Sequence, residues 1–248
     1  MPTLVENEQR TETVVENRAP LITEEQVRDL HRVEMPGKTY RFFKRAADIV
    51  LSALALIILL VPMLIVALLI AIFDPGKIFF TQKRVGKDGK LFTIYKFRTM
   101  RMNAPKYMAT SDVDDPRKFL TPLGRTLRKW SLDELPQLIN VLIGDMSLVG
   151  PRPLIPNEED IHKMRDRFGV YNVRPGVTGL AQINGRDTIS PAEKVRWDVC
   201  YVEHFGLVMD LKILLATVPK VFGHAGVVEG YGSHGEYAET AESTDQNG

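Results

Sequence analysis

The 248-residue chain is poor in the features that mark several large classes of protein. It has one cysteine, Cys200, which excludes an internal disulfide framework and a cysteine-rich zinc site and fits a reducing compartment. Its five histidines, at 31, 162, 204, 224 and 234, show no metal-ligand spacing. No Walker-type or Gly-rich dinucleotide loop is present. Net charge is almost absent as well: 32 basic residues against 31 acidic ones leave +1. No global field therefore draws the chain to nucleic acid, and any polyanion site must be local. No internal repeat appears, and the mean hydropathy of −0.09 hides one exceptional segment.

That segment is Ile49–Phe73, 25 residues without a charge. A helix crossing a bilayer needs about 20 apolar residues, so the run is long enough. It begins too far into the chain for a secretory signal and is longer than a signal core. Two features argue against simple crossing. Pro62 stands mid-run, where it removes one backbone hydrogen bond and crowds the preceding turn, so a kink or break is expected there. Basic residues also flank both ends: Lys38, Arg41, Lys44 and Arg45 before, and Lys77, Lys83, Arg84, Lys87 and Lys90 after. The positive-inside rule orients a span by asymmetry, and here there is almost none. The expected form is a hairpin that enters and leaves by one face; a single span is the alternative.

Residues 1–36 carry eight acids and four arginines and read as a mobile tail, with a short helix at Thr23–Arg32 opened by a Thr23–Gln26 capping box. Lys77–Arg84 and Leu91–Arg98 read as strands joined by a turn at Asp88-Gly89. A helix is expected from Ser131 to about Ile143, where Gly144 stops it, and another from Ser190-Pro191 toward Glu203. Met209–Phe222 is amphipathic, with Leu211, Leu214, Leu215, Val218 and Phe222 on one face, and suits a bilayer surface.

Ser131-Leu-Asp-Glu134 supports two readings. Ser131 and Glu134 form a capping-box pattern, with Asp133 favourable to the helix dipole. Alternatively, the adjacent carboxylates beside Arg125, Arg128 and Lys129 hold a hard cation and attack or orient a phosphate. Further basic residues stand in loops or at a strand end: Arg152 between two prolines, Arg174 in Arg-Pro-Gly176, Arg186 in Asn184-Gly-Arg186, and Lys96 with Arg98. Arginine suits two-point phosphate contacts. Singly each reads as a surface charge; together with a membrane anchor they suggest a phosphorylated ligand met at the bilayer.

Five motifs occur in order: Phe80-Thr-Gln-x-Arg-x-Gly86, Tyr95-Lys-Phe-Arg-Thr-Met100, Ser131-Leu-Asp-Glu-Leu-Pro-Gln137, Gly144-Asp-Met-Ser-Leu-Val-Gly-Pro-Arg-Pro153 and Val173-Arg-Pro-Gly-Val-Thr-Gly179. With the upstream apolar run, the stretch from Tyr40 to Phe222 resembles the bacterial sugar transferases, the monotopic phosphoglycosyl transferases. The resemblance implies transfer of a phospho-sugar from a UDP-sugar to undecaprenyl phosphate, releasing UMP, through a covalent enzyme intermediate. It implies Asp133 as nucleophile and Glu134 as Mg²⁺ ligand, with Asp133 beside the metal. Lys96, Arg128, Arg152 and Asp210 match positions of the polar site, and Arg174 and Arg186 match basic motif positions. It further implies a re-entrant helix broken at a Ser-Pro pair; here Val61 replaces the Ser and leaves Pro62 alone.

The implied fold is α+β and mainly helical, with a re-entrant membrane helix hairpin, a compact cytoplasmic catalytic domain, a small β-hairpin and interfacial amphipathic helices. The corresponding divisions are a tail at 1–37, an anchor at 38–76, a catalytic domain at 77–222 and a loose tail at 223–248. The chain is similar to the small catalytic form of the family, placed on the cytoplasmic face of the inner membrane in glycoconjugate or exopolysaccharide synthesis. A homodimer and downstream glycosyltransferases are compatible partners, and no nucleic acid is expected. The motifs do not distinguish one UDP-sugar from another. The reading from another class is a non-catalytic scaffold that binds anionic lipid through its basic patches.

Overall fold

A computed structural model describes residues 23, 25–33, 35–104, 116–185 and 189–223. The apolar run belongs to one 36-residue helix, α1 (Lys38–Phe73), which continues through Pro62. The expected break is thus absent from the secondary structure. Proline removes one bond of the ladder, and a chain surrounded by apolar side chains has no other partners to offer the remaining backbone groups, so helix is retained on both sides.

Most of α1 is unpartnered. Ile57 and Ile58 expose 72% and 73% of their surface, while Asp48, Ser52, Val66 and Ile70 are buried. Both ends are fastened to the same body. Near the start, Tyr40 and Lys44 reach Asp210, and Arg45 donates to the carbonyls of Val141 and Leu142. Asp48 accepts from Ser147 Oγ and the Leu148 amide, both at 3.0 Å. Toward the end, Val66 and Ile70 form one apolar cluster with Phe97 and Leu127, and Arg98 holds Asp74.

Strands β1 (Phe79–Val85) and β2 (Leu91–Phe97) form the expected antiparallel hairpin, in register from Phe79↔Phe97 to Val85↔Leu91. Asp88 and Gly89 take the left-handed conformation at its turn, with φ of 57° and 69°, as an Asp-Gly turn requires. Next come α2 (Pro122–Lys129), capped by Thr121, and α3 (Gln137–Ile143). The single helix expected from Ser131 to Ile143 is therefore divided: a 3₁₀ turn at Leu132–Glu134 precedes α3, and Ser131 lies at φ 54° with no side-chain cap. A capping residue needs extended backbone, and a left-handed one cannot aim its hydroxyl along the helix.

The Pro/Gly stretches read as loops form a short parallel pair, β3 (Ser147–Val149) with β4 (Gly176–Thr178). The backbones meet so closely that a Cβ at Gly176 would lie 2.1 Å from the Gly150 nitrogen. Helices α4 (Glu159–Arg167), α5 (Leu180–Ile183), α6 (Pro191–Glu203) and α7 (Leu207–Gly223) complete the body. Its main core includes Val149, Val170, Val195, Val199, Val202 and Ile213. Helix α6 opens on a full Ser190–Glu193 capping box. On α7, Leu211, Leu215 and Val218 face outward together with Leu207 and Val208, whereas Leu214 turns toward the core. Phe222's side chain lies outside the described positions.

The mobile-tail reading does not hold for residues 25–33. Val27, in a 3₁₀ turn at Glu25–Val27 rather than a longer helix, is 1% exposed in the main core. Asp29 makes a two-point contact with Arg196, and the Val33 amide and carbonyl bind Phe168 and Asn172. Burying one valine and pairing that acid gives the segment a fixed place that composition does not reveal.

Candidate active site

The 3₁₀ turn at Leu132–Glu134 places two adjacent carboxylates inside the body. Asp133 is 6% exposed and Glu134 8%. The turn is closed by the Glu134 amide donating to the Ser131 carbonyl at 3.2 Å. Two elements supply cations to one oxygen of Glu134. Lys96 Nζ, from β2, is 2.8 Å from Oε1, and Arg152 Nη2, from the loop after β3, is 3.2 Å from it. Burial holds the Lys96 ammonium below the ordinary lysine range, although the Glu134 carboxylate pulls the other way. Asp133 also acts on Lys96 through its charge.

Arg84, named from the sequence only as a flanking charge and as part of the first motif, belongs to the same electrostatic cluster. It lies on β1, where Phe80, Gln82 and Arg84 share the face that carries Lys96 on β2, because Phe80 pairs with Lys96. Its guanidinium donates to Gln82 Oε1 at 2.6 Å and to the Pro153 carbonyl at 3.3 Å. Burial first, and the nearby Arg152 second, lower it to about 10. The available signal was the period-two placement of Gln82 and Arg84 opposite Lys96. Lys96, Arg84 and Arg152 against Asp133 and Glu134 leave a surplus of positive charge in a partly desolvated cluster. Such a cluster favours an anionic ligand.

The remaining residues singled out from the sequence occupy other places. Arg128 Nε donates to Thr99 Oγ1 at 3.0 Å, beside the turn. Arg174 Nε donates to the Gly144 carbonyl at 2.7 Å, next to Arg45 on Val141 and Leu142, so two guanidiniums serve the C-terminal carbonyls of α3. Asp210 lies away from the carboxylate pair: its Oδ2 accepts from Tyr40 and Lys44, and its Oδ1 from Tyr201. It ties α1 to α6 and α7. Arg186 is outside the described residues.

A buried carboxylate pair with converging cations, on a body carried by an apolar helix, has the makings of a group-transfer site for phosphates at a membrane surface. The description "Bacterial sugar transferase" matches residues 39–224, and the chain belongs to that family. The chain is 40% identical over 194 residues to an exopolysaccharide production protein, ExoY, of Sinorhizobium fredii (strain NBRC 101917 / NGR234), covering 72% of this chain and 84% of that protein. It is 41% identical over 190 residues to the UDP-glucose:undecaprenyl-phosphate glucose-1-phosphate transferase of Escherichia coli (strain K12), covering 73% of this chain but 40% of that protein. A UDP-N-acetylgalactosamine-undecaprenyl-phosphate N-acetylgalactosaminephosphotransferase of Aeromonas hydrophila is 38% identical over 189 residues, with 74% and 44% covered. The last two relatives bear the names of different sugars at similar identity.

Proposed function

We propose that this protein transfers a phospho-sugar from a UDP-sugar to undecaprenyl phosphate at the cytoplasmic face of the inner membrane, through a covalent intermediate on Asp133. The observation that carries the reading is the buried Asp133–Glu134 pair, with Lys96 and Arg152 converging on one Glu134 oxygen. An Asp133 oxygen attacks the sugar-bearing phosphorus, the bond to the bridging oxygen breaks, and UMP leaves with that electron pair. An oxygen of the lipid phosphate then attacks the same phosphorus and returns the Asp133 carboxylate. Lys96, Arg84 and Arg152 stabilise the phosphate charge as it shifts toward the leaving group.

The residues fit a hard cation. Two adjacent carboxylates offer oxygen donors, the kind Mg²⁺ takes one or two of before completing its shell with phosphate oxygens and water. Glu134, with Asp133, would hold it, and when bound it would supply charge neutralisation on the diphosphate. Chelation by EDTA should bring turnover to background, and added Mg²⁺ should restore it. Full turnover after thorough chelation would remove the cation from the reaction.

A re-entrant placement of α1 is supported by its two-ended attachment. Asp48 and Arg45 near one end, and Val66, Ile70 and Asp74 near the other, are all bound to the body formed by the described residues after Phe79. A body on one side of a bilayer cannot hold both ends of a helix that crosses it. The exposed Leu207, Val208, Leu211, Leu215 and Val218 of α7 provide a second apolar stripe for the interface. The acceptor's tail stays in lipid, so a shallow anchor brings its phosphate to a site held at the same depth.

Arg152→Lys should lower kcat/KM by about 10- to 100-fold, because an ammonium cannot reproduce a planar two-point donor. A rate near wild type would return Arg152 to a purely structural role. The direct test of the reaction is a panel of UDP-sugars with undecaprenyl phosphate, scored by UMP release. One or more should react. If none reacts, and anionic-lipid binding survives loss of Asp133 and Glu134, the non-catalytic scaffold is the better description.

A further inference from the structure

The loop that presents Arg152 is Gly150-Pro151-Arg152-Pro153. Its two prolines have no N–H, so the backbone at these positions can be fixed only through carbonyl acceptors. The Pro151 carbonyl accepts from the Gly176 amide at 2.9 Å and the Leu154 carbonyl from the Val85 amide at 2.9 Å. Between them, side chains take over. The Pro153 carbonyl accepts from Arg84 Nη1 at 3.3 Å, and the carbonyl of Arg152 itself accepts from Arg165 Nη1 at 2.8 Å.

Arg165 is 2% exposed on α4. Its other terminal nitrogen is ion-paired with Asp198 on α6, whose side chain is equally buried. An ion pair buried in this way contributes little net stability, because desolvation offsets most of the attraction. Its geometric content is larger. The planar guanidinium joins a helix carboxylate to one particular peptide carbonyl, and a flexible ammonium cannot repeat that fork.

We propose that Arg165, locked by Asp198, is a positioning residue for Arg152. The carbonyl it holds is bonded to the Arg152 Cα, so the contact fixes the direction in which the Arg152 side chain leaves the backbone. That direction brings Nη2 to 3.2 Å from Glu134 Oε1. A backbone turn of roughly 10° would carry the end of so long a side chain about 1 Å, enough for a loss of about 10²-fold where a transition-state contact depends on it. The role of Arg152 in turnover rests on the reaction proposed above; the positioning of its loop does not.

The test is a double-mutant cycle on full-length protein in detergent or nanodiscs, with Arg165→Lys, Arg152→Ala and the double variant. UMP release is read as kcat and KM, and hydrogen exchange is followed in the peptide covering residues 148–155. Arg165→Lys should lower kcat by about 10- to 100-fold with a smaller change in KM. It should add almost nothing in the Arg152→Ala background, because its effect passes through Arg152. Exchange at the Gly150 amide, which donates to Thr178, and at the Ile155 amide, which donates to Glu158, should quicken while residues 137–143 stay as in wild type. Additive losses, or unchanged exchange in 148–155, would overturn the proposal. Asp198→Asn, close in size, frees the same fork and serves if Arg165→Lys does not fold. Were wild type inactive with every UDP-sugar, the reaction would be wrong, yet exchange would still decide whether Arg165 fixes the loop.

Discussion

Asp133→Asn is expected to abolish turnover, by about 10³-fold or more, in protein that still folds and still associates with membranes. The estimate follows from the usual cost of deleting a nucleophile, which removes a step rather than weakening a contact. Asparagine keeps the size of the side chain and part of its hydrogen bonding but cannot attack phosphorus. Its neighbourhood makes the change informative. Asp133 is buried beside Lys96, with Arg84 and Arg152 in the same electrostatic cluster, so the variant makes that cluster still more positive. Binding of a UDP-sugar should survive or tighten while chemistry fails. Glu134→Gln should fail differently. It withdraws the charge shared by Lys96 and Arg152, which should weaken cation binding and disturb both basic side chains. Steady-state UMP release, nucleotide binding and a melting curve on the two variants separate these outcomes. An Asp133→Asn enzyme with more than a tenth of wild-type turnover contradicts the nucleophile role.

Cysteine labelling on either side of the apolar run, at the start of α1 and in the β1–β2 turn, should give the same answer at each. With Cys200 replaced by Ser, single cysteines at Lys38 and Lys87 are expected to resist an impermeant reagent in intact cells and to react after lysis. The physical reason is the double attachment: Asp48 is bonded to β3, and Ile70 packs with Phe97 and Leu127. Reaction at one site but not the other would establish a crossing helix, and with it a rearrangement that breaks one set of those contacts. Pro62→Leu restores the missing backbone donor and should shift some molecules toward the crossing state. Its effect is an increase in labelling at Lys38 alone.

The comparison of two short motifs shows how far local sequence carries. Ser190-Pro-Ala-Glu193 and Ser131-Leu-Asp-Glu134 have the same capping-box spacing. The first forms the box in full, with Glu193 returning to the Ser190 amide at 2.8 Å. The second does not, because the Glu134 carboxylate is taken by Lys96 and Arg152, residues 38 and 18 positions away, and Ser131 turns left-handed. Long-range ion pairs outweigh a local cap worth about 1 kcal/mol. The β-hairpin and α6 were legible because an Asp-Gly turn and a serine cap act within a few residues.

The β3–β4 pair was not, since its partners are separated by α4 and its strands are three residues long, each with a proline near one end. Lys96, Asp133, Glu134 and Arg152 could be named from the sequence, and their convergence is a tertiary fact. Asp210 and Arg174 could also be named, but their side chains serve joints in the body rather than the carboxylate pair. Asp48 escaped notice because a lone acid at the edge of an apolar run looks like the end of the run. In the fold it is the point where α1 grips β3.

The most direct measurement is intact-protein mass spectrometry of the wild-type enzyme after incubation with a reactive UDP-sugar and Mg²⁺, with no lipid acceptor present. The predicted result is release of UMP together with a mass gain of one phospho-sugar, absent in Asp133→Asn and discharged when undecaprenyl phosphate is added. An enzyme that shows full turnover with acceptor, yet neither adduct nor UMP without it, would contradict the covalent role of Asp133 and point to direct attack by the lipid phosphate.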